Sequence, residues 1–320
     1  MDYEELRAFK EIEQKKIMTY QDWNTFHNQL MSRTVNIAVE KYQEEQGTLP
    51  ASFAFFVMGS AARCEQSVIT DQDHGIIYDG EVEKEPFLLL GKEIAVGLEY
   101  IGYPMCDGKV MASEPLWTNS IDGWHRQVKE WLEESSWESL RHFSTFFDSR
   151  VLVGNADFLS QIKQVAFLYL KRNPSTYMRL VDNVGFIRKS IGIFGQLLPE
   201  RSGRRTGSIH LKTAAFFPYV NAIRLLALLN NCDQHSTTSR IAELKGTYPF
   251  LEEYEELFKQ LLQFRFNHTK NNTDYDDVHY LSVHTLTKSE KQELKEYMKK
   301  GAQLFEIVKK EIKKECSIWE

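Results

Sequence analysis

The stretch Val57-Met-Gly-Ser-Ala-Ala-Arg-Cys-Glu-Gln-Ser-Val-Ile-Thr-Asp-Gln-Asp-His-Gly-Ile-Ile-Tyr78 decides how this chain is read. It grows out of Phe53-Ala-Phe-Phe-Val-Met58, a short, continuous apolar run rich in aromatics and bounded by turn residues. Such a run predicts a buried strand, because it is too short for a core helix. Gly59-Ser60-Ala61-Ala62 then makes a small-residue turn. His74-Gly-Ile-Ile-Tyr78 predicts a second strand, closed by the turn signal Asp79-Gly80.

Each part of that stretch has a chemical use. At Gly59 a backbone without Cβ lets a bulky anion come close. Ser60 offers a hydroxyl and an N–H to phosphate oxygens. Asp71 and Asp73 stand two apart, so on extended backbone their carboxylates share a face, roughly 6–7 Å apart along the strand. Two carboxylates at that reach suit Mg²⁺, which is held by a few carboxylates together with substrate phosphates and water. A pair of such ions steadies both oxygens of an in-line displacement at phosphorus. An acidic pair alone is usually solvated surface; the combination with a preceding strand and Gly-Ser turn is far more specific.

Working outward, hydrophobic residues make up 42% and charged residues 26% of the 320, an ordinary globular balance. The net charge of −6 argues against a DNA- or RNA-binding surface, which recruits dense Lys and Arg. Cys64, Cys106, Cys232 and Cys316 are scattered without a CxxC pair, so neither a zinc site nor a disulfide framework is expected. The charged start MDYEELRAFKEIEQKK lacks an apolar core, and no apolar run approaches the roughly 20 residues of a membrane span. The expectation is a cytoplasmic protein without a membrane partner.

Residues 1–20 predict a charged helix and 22–46 an amphipathic one, with Trp23, Phe26, Leu30, Val35, Ile37, Ala38 and Tyr42 near helical spacing. Gly47 and Pro50 end it. Further helices are expected over 86–101 and 122–145, with strands at Lys109–Ala112 and Phe146–Val153. Beyond residue 155 the reading is helical: 156–172, 175–198, 217–230, 237–245, 250–270 and 287–315. The fold class is therefore α+β, a small mixed sheet with flanking helices followed by an all-helical bundle.

Strand, Gly-Ser, then Asp-x-Asp leading into a strand resembles the polymerase-beta-like nucleotidyltransferase superfamily. More narrowly, Gly59-Ser-x-x-Arg63-x-Glu65-Gln66 with Thr70-Asp-Gln-Asp73 resembles a bacterial nucleotidyltransferase family. That family is similar to the protein-PII uridylyltransferases and often stands beside CBS or cyclic-nucleotide-binding domains. Gly108-Lys-Val-Met-Ala112 with Pro115-Leu-Trp117, Phe147-Asp-Ser-Arg150 with Gly154, and Gly207-Ser-Ile-His-Leu-Lys212 with Pro218 and Arg224-Leu-Leu-Ala-Leu228 extend the likeness over roughly residues 25–315. Two positions depart from it: Ala62 stands where the family usually has Gly, and His74 where it has Asn.

The resemblance implies an N-terminal helix over 1–24, a nucleotidyltransferase domain over 25–154 and a helical substrate-binding domain over 155–320, facing the metal site across a cleft. It implies Mg²⁺ or Mn²⁺ on Asp71, Asp73 and a third acid, for which Asp148 fits. An ion pair of Asp148 with Arg150 or another cation is the alternative. Gly59, Ser60, Arg63 and Lys212 are the expected nucleotide and phosphate contacts. A salt bridge of Arg63 with Glu65 or another acid, and a solvated Lys212, stay open. Arg201, Arg204 and Arg205 make a basic loop that either holds a substrate or is solvated. The implied substrates are a nucleoside triphosphate and a protein acceptor, such as a PII-like regulator; transfer to a small molecule, and a regulatory protein that binds nucleotide without catalysis, stay open as alternatives.

Overall fold

A computed structural model describes residues 1–185, 188 and 190–318. The chain divides into two compact units, Met1–Tyr169 and Leu170–Glu320.

The first unit is built on the two strands expected around the Gly-Ser turn. β1 (Phe53–Met58) and β2 (His74–Tyr78) pair antiparallel. β3 (Thr118–Ser120) lies parallel to β2, β4 (Ser149–Gly154) antiparallel to β1, and the order is β3-β2-β1-β4. Because β1 is central and covered on both faces, its run is apolar without alternation. Phe55 and Val57 pack with Leu30, Val35, Ile94 and Leu98 of α2 (Tyr20–Gln46) and α4 (Glu85–Tyr100). Phe56 points the other way, 5.5 Å from Trp124 and 5.9 Å from Phe146. These belong to α5 (Ile121–Glu134) and α6 (Trp137–Phe147).

Local signals set the helix ends. α1 (Tyr3–Glu13) starts on a reciprocal Asp2–Glu5 capping box. α2 starts on Thr19, which accepts from the Asp22 N–H, and stops at Gly47 with φ 86°. α3 (Gly59–Ala62) is a single turn after β1, and α7 (Ala156–Arg172) follows β4.

Four expectations for this unit are corrected. The helix expected over 1–20 ends at Glu13; Ile17 and Thr19 are extended, and Thr19 caps a new helix from Tyr20. Residues 122–145 form two helices, because Ser135 takes a left-handed conformation (φ 49°) and Ser136 caps α6 through the Ser139 N–H. Phe146 and Phe147 finish α6 and do not begin a strand. Lys109–Ala112 is not a strand: Lys109 has φ 54°, and the segment meets β2 through two bonds only, His74 N–H to the Val110 carbonyl (3.0 Å) and Ala112 N–H to His74 Nδ1 (3.0 Å).

The second unit is helical, with α8 (Ser175–Val184), α9 (Phe217–Leu229), α10 (Thr237–Leu244), α11 (Glu252–Thr269) and α12 (Lys288–Ile318). α9 is buried from Pro218 to Leu228, which explains its continuous apolar sequence. One feature adds to the helical expectation: β5 (Ser208–His210) and β6 (Tyr280–Ser282) form an antiparallel ribbon. The helix expected over 175–198 stops at Val184; Ile191 and Leu197 bridge instead, around Gly192 and Gly195, and residues 186, 187 and 189 lie outside the described residues.

Candidate functional site

Asp71, Gln72 and Asp73 lead directly into β2. Gln72 is fully buried, its amide nitrogen donating to the carbonyls of Ala95 (3.0 Å) and Tyr103 (2.9 Å). Burial alternates across it: Asp71 and Asp73, on either side of Gln72, are both half-buried, and their carboxylates converge. The Asp73 carbonyl accepts from the Met58 N–H (2.8 Å), and the Gly59 N–H donates to the Asp148 carbonyl (3.0 Å). The Gly-Ser turn, the Asp-x-Asp pair and the entry to β4 thus meet at one edge of the sheet.

Gly59 is required there on two counts. Its φ is +56°, and a Cβ would stand 2.8 Å from Asp73 Oδ2. Ser60, the second residue of α3, is half-buried, and its carbonyl accepts from the Glu65 N–H (2.9 Å).

Cys106 joins the pair, which no spacing in the sequence announced. One ligand atom each from Asp71, Asp73 and Cys106 lies within 4.8 Å of the others, and the thiol donates to Asp73 Oδ1 (3.4 Å). Burial, with Asp73 next, pushes the Cys106 thiol up to about 12. The loop carrying it is fixed by the Gln72 N–H to the Pro104 carbonyl (3.2 Å) and by the His74 bond to Val110. Two converging carboxylates beside a turn kept free of Cβ fit a divalent cation bound with phosphate oxygens.

Asp148 is fully buried and stands outside that three-residue group. Arg63 Nη1 donates to Asp148 Oδ2 (2.7 Å) and Arg63 Nε to Glu65 Oε2 (2.8 Å). Burial opposes the guanidinium charge, but the carboxylates of Glu65 and Asp148 outweigh it and raise Arg63 above its ordinary value. Arg150 turns instead to Asn28 Oδ1 (2.8 Å) and the Ala61 carbonyl (3.2 Å) at the end of α3.

Buried histidines brace both sides of the site. His27 Nε2 donates to the Ser67 carbonyl (2.9 Å), because a carbonyl can only accept, and its Nδ1 accepts from the Tyr103 hydroxyl (2.7 Å). Trp23 Nε1 also reaches the Ser67 carbonyl (3.2 Å), and Asn24 Oδ1 accepts from the Gln66 N–H (2.8 Å). α2 therefore pins the segment between the turn and Asp71. His74 accepts at Nδ1 from Ala112, so its Nε2 carries the proton and donates to Gln72 Oε1 (2.9 Å). Burial holds both His27 and His74 down at about 3, so both are neutral braces. Sequence spacing identifies none of these partners, which come together only through the fold.

In the second unit Lys212 is exposed, with Nζ 5.8 Å from the Phe217 ring centroid. In the basic loop, Arg204 pairs with Asp274 (3.5 Å) and Arg205 with Asp276 (3.9 Å) and Asp277. Arg201 is exposed. No helix among the described residues is long and apolar enough to cross a membrane.

A family model described as "Putative nucleotidyltransferase DUF294" matches residues 8–138. A second, described as "Putative nucleotidyltransferase substrate binding domain", matches residues 174–312. No curated protein matches the chain. The first match contains Gly59, Ser60, Arg63, Asp71, Asp73 and Cys106 and ends before Asp148; the second contains Lys212.

Proposed function

The chain belongs to the nucleotidyltransferase family that these two models describe, with its C-terminal substrate-binding domain, and from that premise we propose that it moves a nucleoside monophosphate from an NTP to an acceptor hydroxyl, releasing pyrophosphate. The observation that carries this reading is the convergence of Asp71 and Asp73 beside the Gly59 turn.

Asp71 and Asp73 hold Mg²⁺ or Mn²⁺, and Asp148 serves as the third carboxylate. The cation, when bound, neutralises charge on the phosphoryl oxygens. The Gly59 turn brings backbone close to the triphosphate, and Ser60 donates to its β- and γ-phosphates. Arg63 sets a fixed positive charge at the same turn, held by Glu65 and Asp148. His27, Gln72 and His74 keep the acidic pair in place, so the contribution of the fold is positioning and charge complementarity. In the second unit Lys212 contacts a phosphate-bearing substrate.

The acceptor is a protein hydroxyl, such as a tyrosine on a PII-like regulator, as the resemblance to protein-PII uridylyltransferases implies, and the setting is cytoplasmic. One observation favours a second reading, a regulatory protein that binds nucleotide without turnover: the Asp148 carboxylate is held by Arg63.

The test is label transfer. Purified protein, Mg²⁺ and each α-labelled NTP are incubated with a lysate fraction as acceptor pool. Label moves to a protein with wild-type enzyme and is lost with Asp71→Asn and Asp73→Asn. Full Mg²⁺-dependent transfer by both variants sinks the proposed site. Nucleotide binding without transfer from any NTP moves the reading to the regulator.

A further inference from the structure

We propose that Cys106 is a third, sulfur ligand to the divalent cation of Asp71 and Asp73, and that it makes this site selective for zinc-class ions over Mg²⁺. One ligand atom from each of the three side chains lies within 4.8 Å of the others, a span that a single ion can bridge. Among the described residues this is the one group of three or more His, Cys, Asp or Glu side chains so placed.

The sulfur is held there by the same segment that carries the carboxylates. Gln72 and His74 flank Asp73. The Gln72 N–H donates to the Pro104 carbonyl (3.2 Å) and its side-chain nitrogen to the Tyr103 carbonyl (2.9 Å), just before Cys106. The His74 N–H donates to the Val110 carbonyl (3.0 Å), just after it. Between these anchors the Lys109 N–H closes a turn on the Cys106 carbonyl (2.9 Å). Bonds on both sides of Cys106 thus tie it to residues on both sides of Asp73, and Sγ stands 3.4 Å from Asp73 Oδ1. Outer bonds of this kind are what orient the ligands of a metal.

The donor set then decides the ion. Two carboxylates suit a hard cation such as Mg²⁺, whereas sulfur suits zinc and its neighbours. In the free chain burial, then the Asp73 carboxylate, opposes a thiolate, while backbone hydrogen bonds from Val110 and Gly108 favour one. A divalent cation between the ligands reverses that balance: its charge outweighs the carboxylates, the thiol proton passes to solvent, and a sulfur–metal bond replaces S–H. An ion held in this way excludes Mg²⁺ from the same carboxylates. The inference rests on the proposed function for a cation at Asp71 and Asp73; it adds the sulfur and the choice of ion.

The experiment titrates Co²⁺, Zn²⁺ and Mg²⁺ separately into the metal-free full chain, without nucleotide. Co²⁺ is read by the near-ultraviolet sulfur-to-cobalt charge-transfer band, Zn²⁺ and Mg²⁺ by calorimetry. The band is expected in wild type and absent in Cys106→Ser. In that variant Zn²⁺ affinity is expected to fall about tenfold or more, while Mg²⁺ affinity stays within about twofold. Circular dichroism checks that the variant is folded. X-ray absorption at zinc bound to the wild-type chain needs no variant and is expected to show a sulfur neighbour. Cobalt bound without the band, zinc with oxygen and nitrogen neighbours only, or band and Zn²⁺ affinity unchanged in folded Cys106→Ser overturns the inference. Mg²⁺-dependent label transfer, lost in Asp71→Asn, survives each of those results. No binding of any of the three ions by wild type overturns the inference as well and leaves the transfer reading to the label-transfer experiment.

Discussion

Replacing Arg63 with methionine is the sharpest probe of how the site is held together. The side chain has 11% of its surface exposed, its partners Asp148 and Glu65 0% and 4%. Arg63→Met keeps the volume but removes both charge-assisted bonds, at 2.7 and 2.8 Å. Two carboxylates then stay in a poorly solvated region without their shared cation. Removing one partner from a buried ion pair costs about 3–5 kcal/mol. Methionine packing offsets part of that, so a loss of about 3 kcal/mol is expected. With a urea slope of about 1–3 kcal/mol/M, the midpoint falls by about 1–3 M. Tryptophan fluorescence is a suitable assay, because five of the six tryptophans (Trp23, Trp117, Trp124, Trp131 and Trp137) lie in the first unit. Arg63→Lys, which keeps the charge but not the two-pronged geometry, should fall between. A midpoint for Arg63→Met within about 0.3 M of wild type, less than about 1 kcal/mol, refutes the view that this triad holds β4 to the turn.

Three further outcomes follow from the same geometry. His27 and His74 sit at about 3 when folded against 6.5 ordinarily, so below pH 6.5 the unfolded chain binds two protons that the folded unit refuses. Stability of the first unit is therefore complete above pH 6.5 and falls as pH drops, by up to about 2.7 kcal/mol per pH unit; urea midpoints between pH 7 and 5 check this, and a flat profile contradicts it. Gly59→Ala places a methyl 2.8 Å from Asp73 Oδ2 in a left-handed conformation. It should cost about 1–2 kcal/mol and weaken Mg²⁺ binding more than Gly246→Ala, where a Cβ meets nothing within 4 Å. Cys106, buried and with its thiol pushed up to about 12, should react with iodoacetamide at neutral pH more than tenfold slower than an exposed cysteine; peptide mass spectrometry reads the rates, and fast labelling of Cys106 opposes the burial assigned to it.

The sequence was most informative where local pattern and tertiary role agree. Phe53–Met58 and His74–Tyr78 are strands as the apolar runs predict, and α2 buries the residues its spacing selected except Ile37, which is half-buried against the core. The acidic pair was legible because Gln72 between the two aspartates has its own buried partners, which enforces alternation. Local pattern could not reveal the break at Ser135, a left-handed residue inside a uniformly amphipathic stretch, nor β5 and β6, three residues each and held by one another. It also could not reveal that Arg63 is the cation facing Asp148, 85 positions away, or that Cys106 reaches Asp73 across 33. Such meetings are properties of the sheet order, which brings β4 and the loop before β3 to the edge where β1 ends.

The central claim, that Asp71 and Asp73 support nucleotidyl rather than phosphoryl transfer, is tested most directly with the same NTP labelled at either the α- or the γ-phosphate. With Mg²⁺ and an acceptor fraction, the account predicts that α-label appears on the acceptor while γ-label leaves as pyrophosphate, both absent in Asp73→Asn. Transfer of the γ-label to the acceptor, or α-label transfer undiminished in Asp73→Asn, would contradict it.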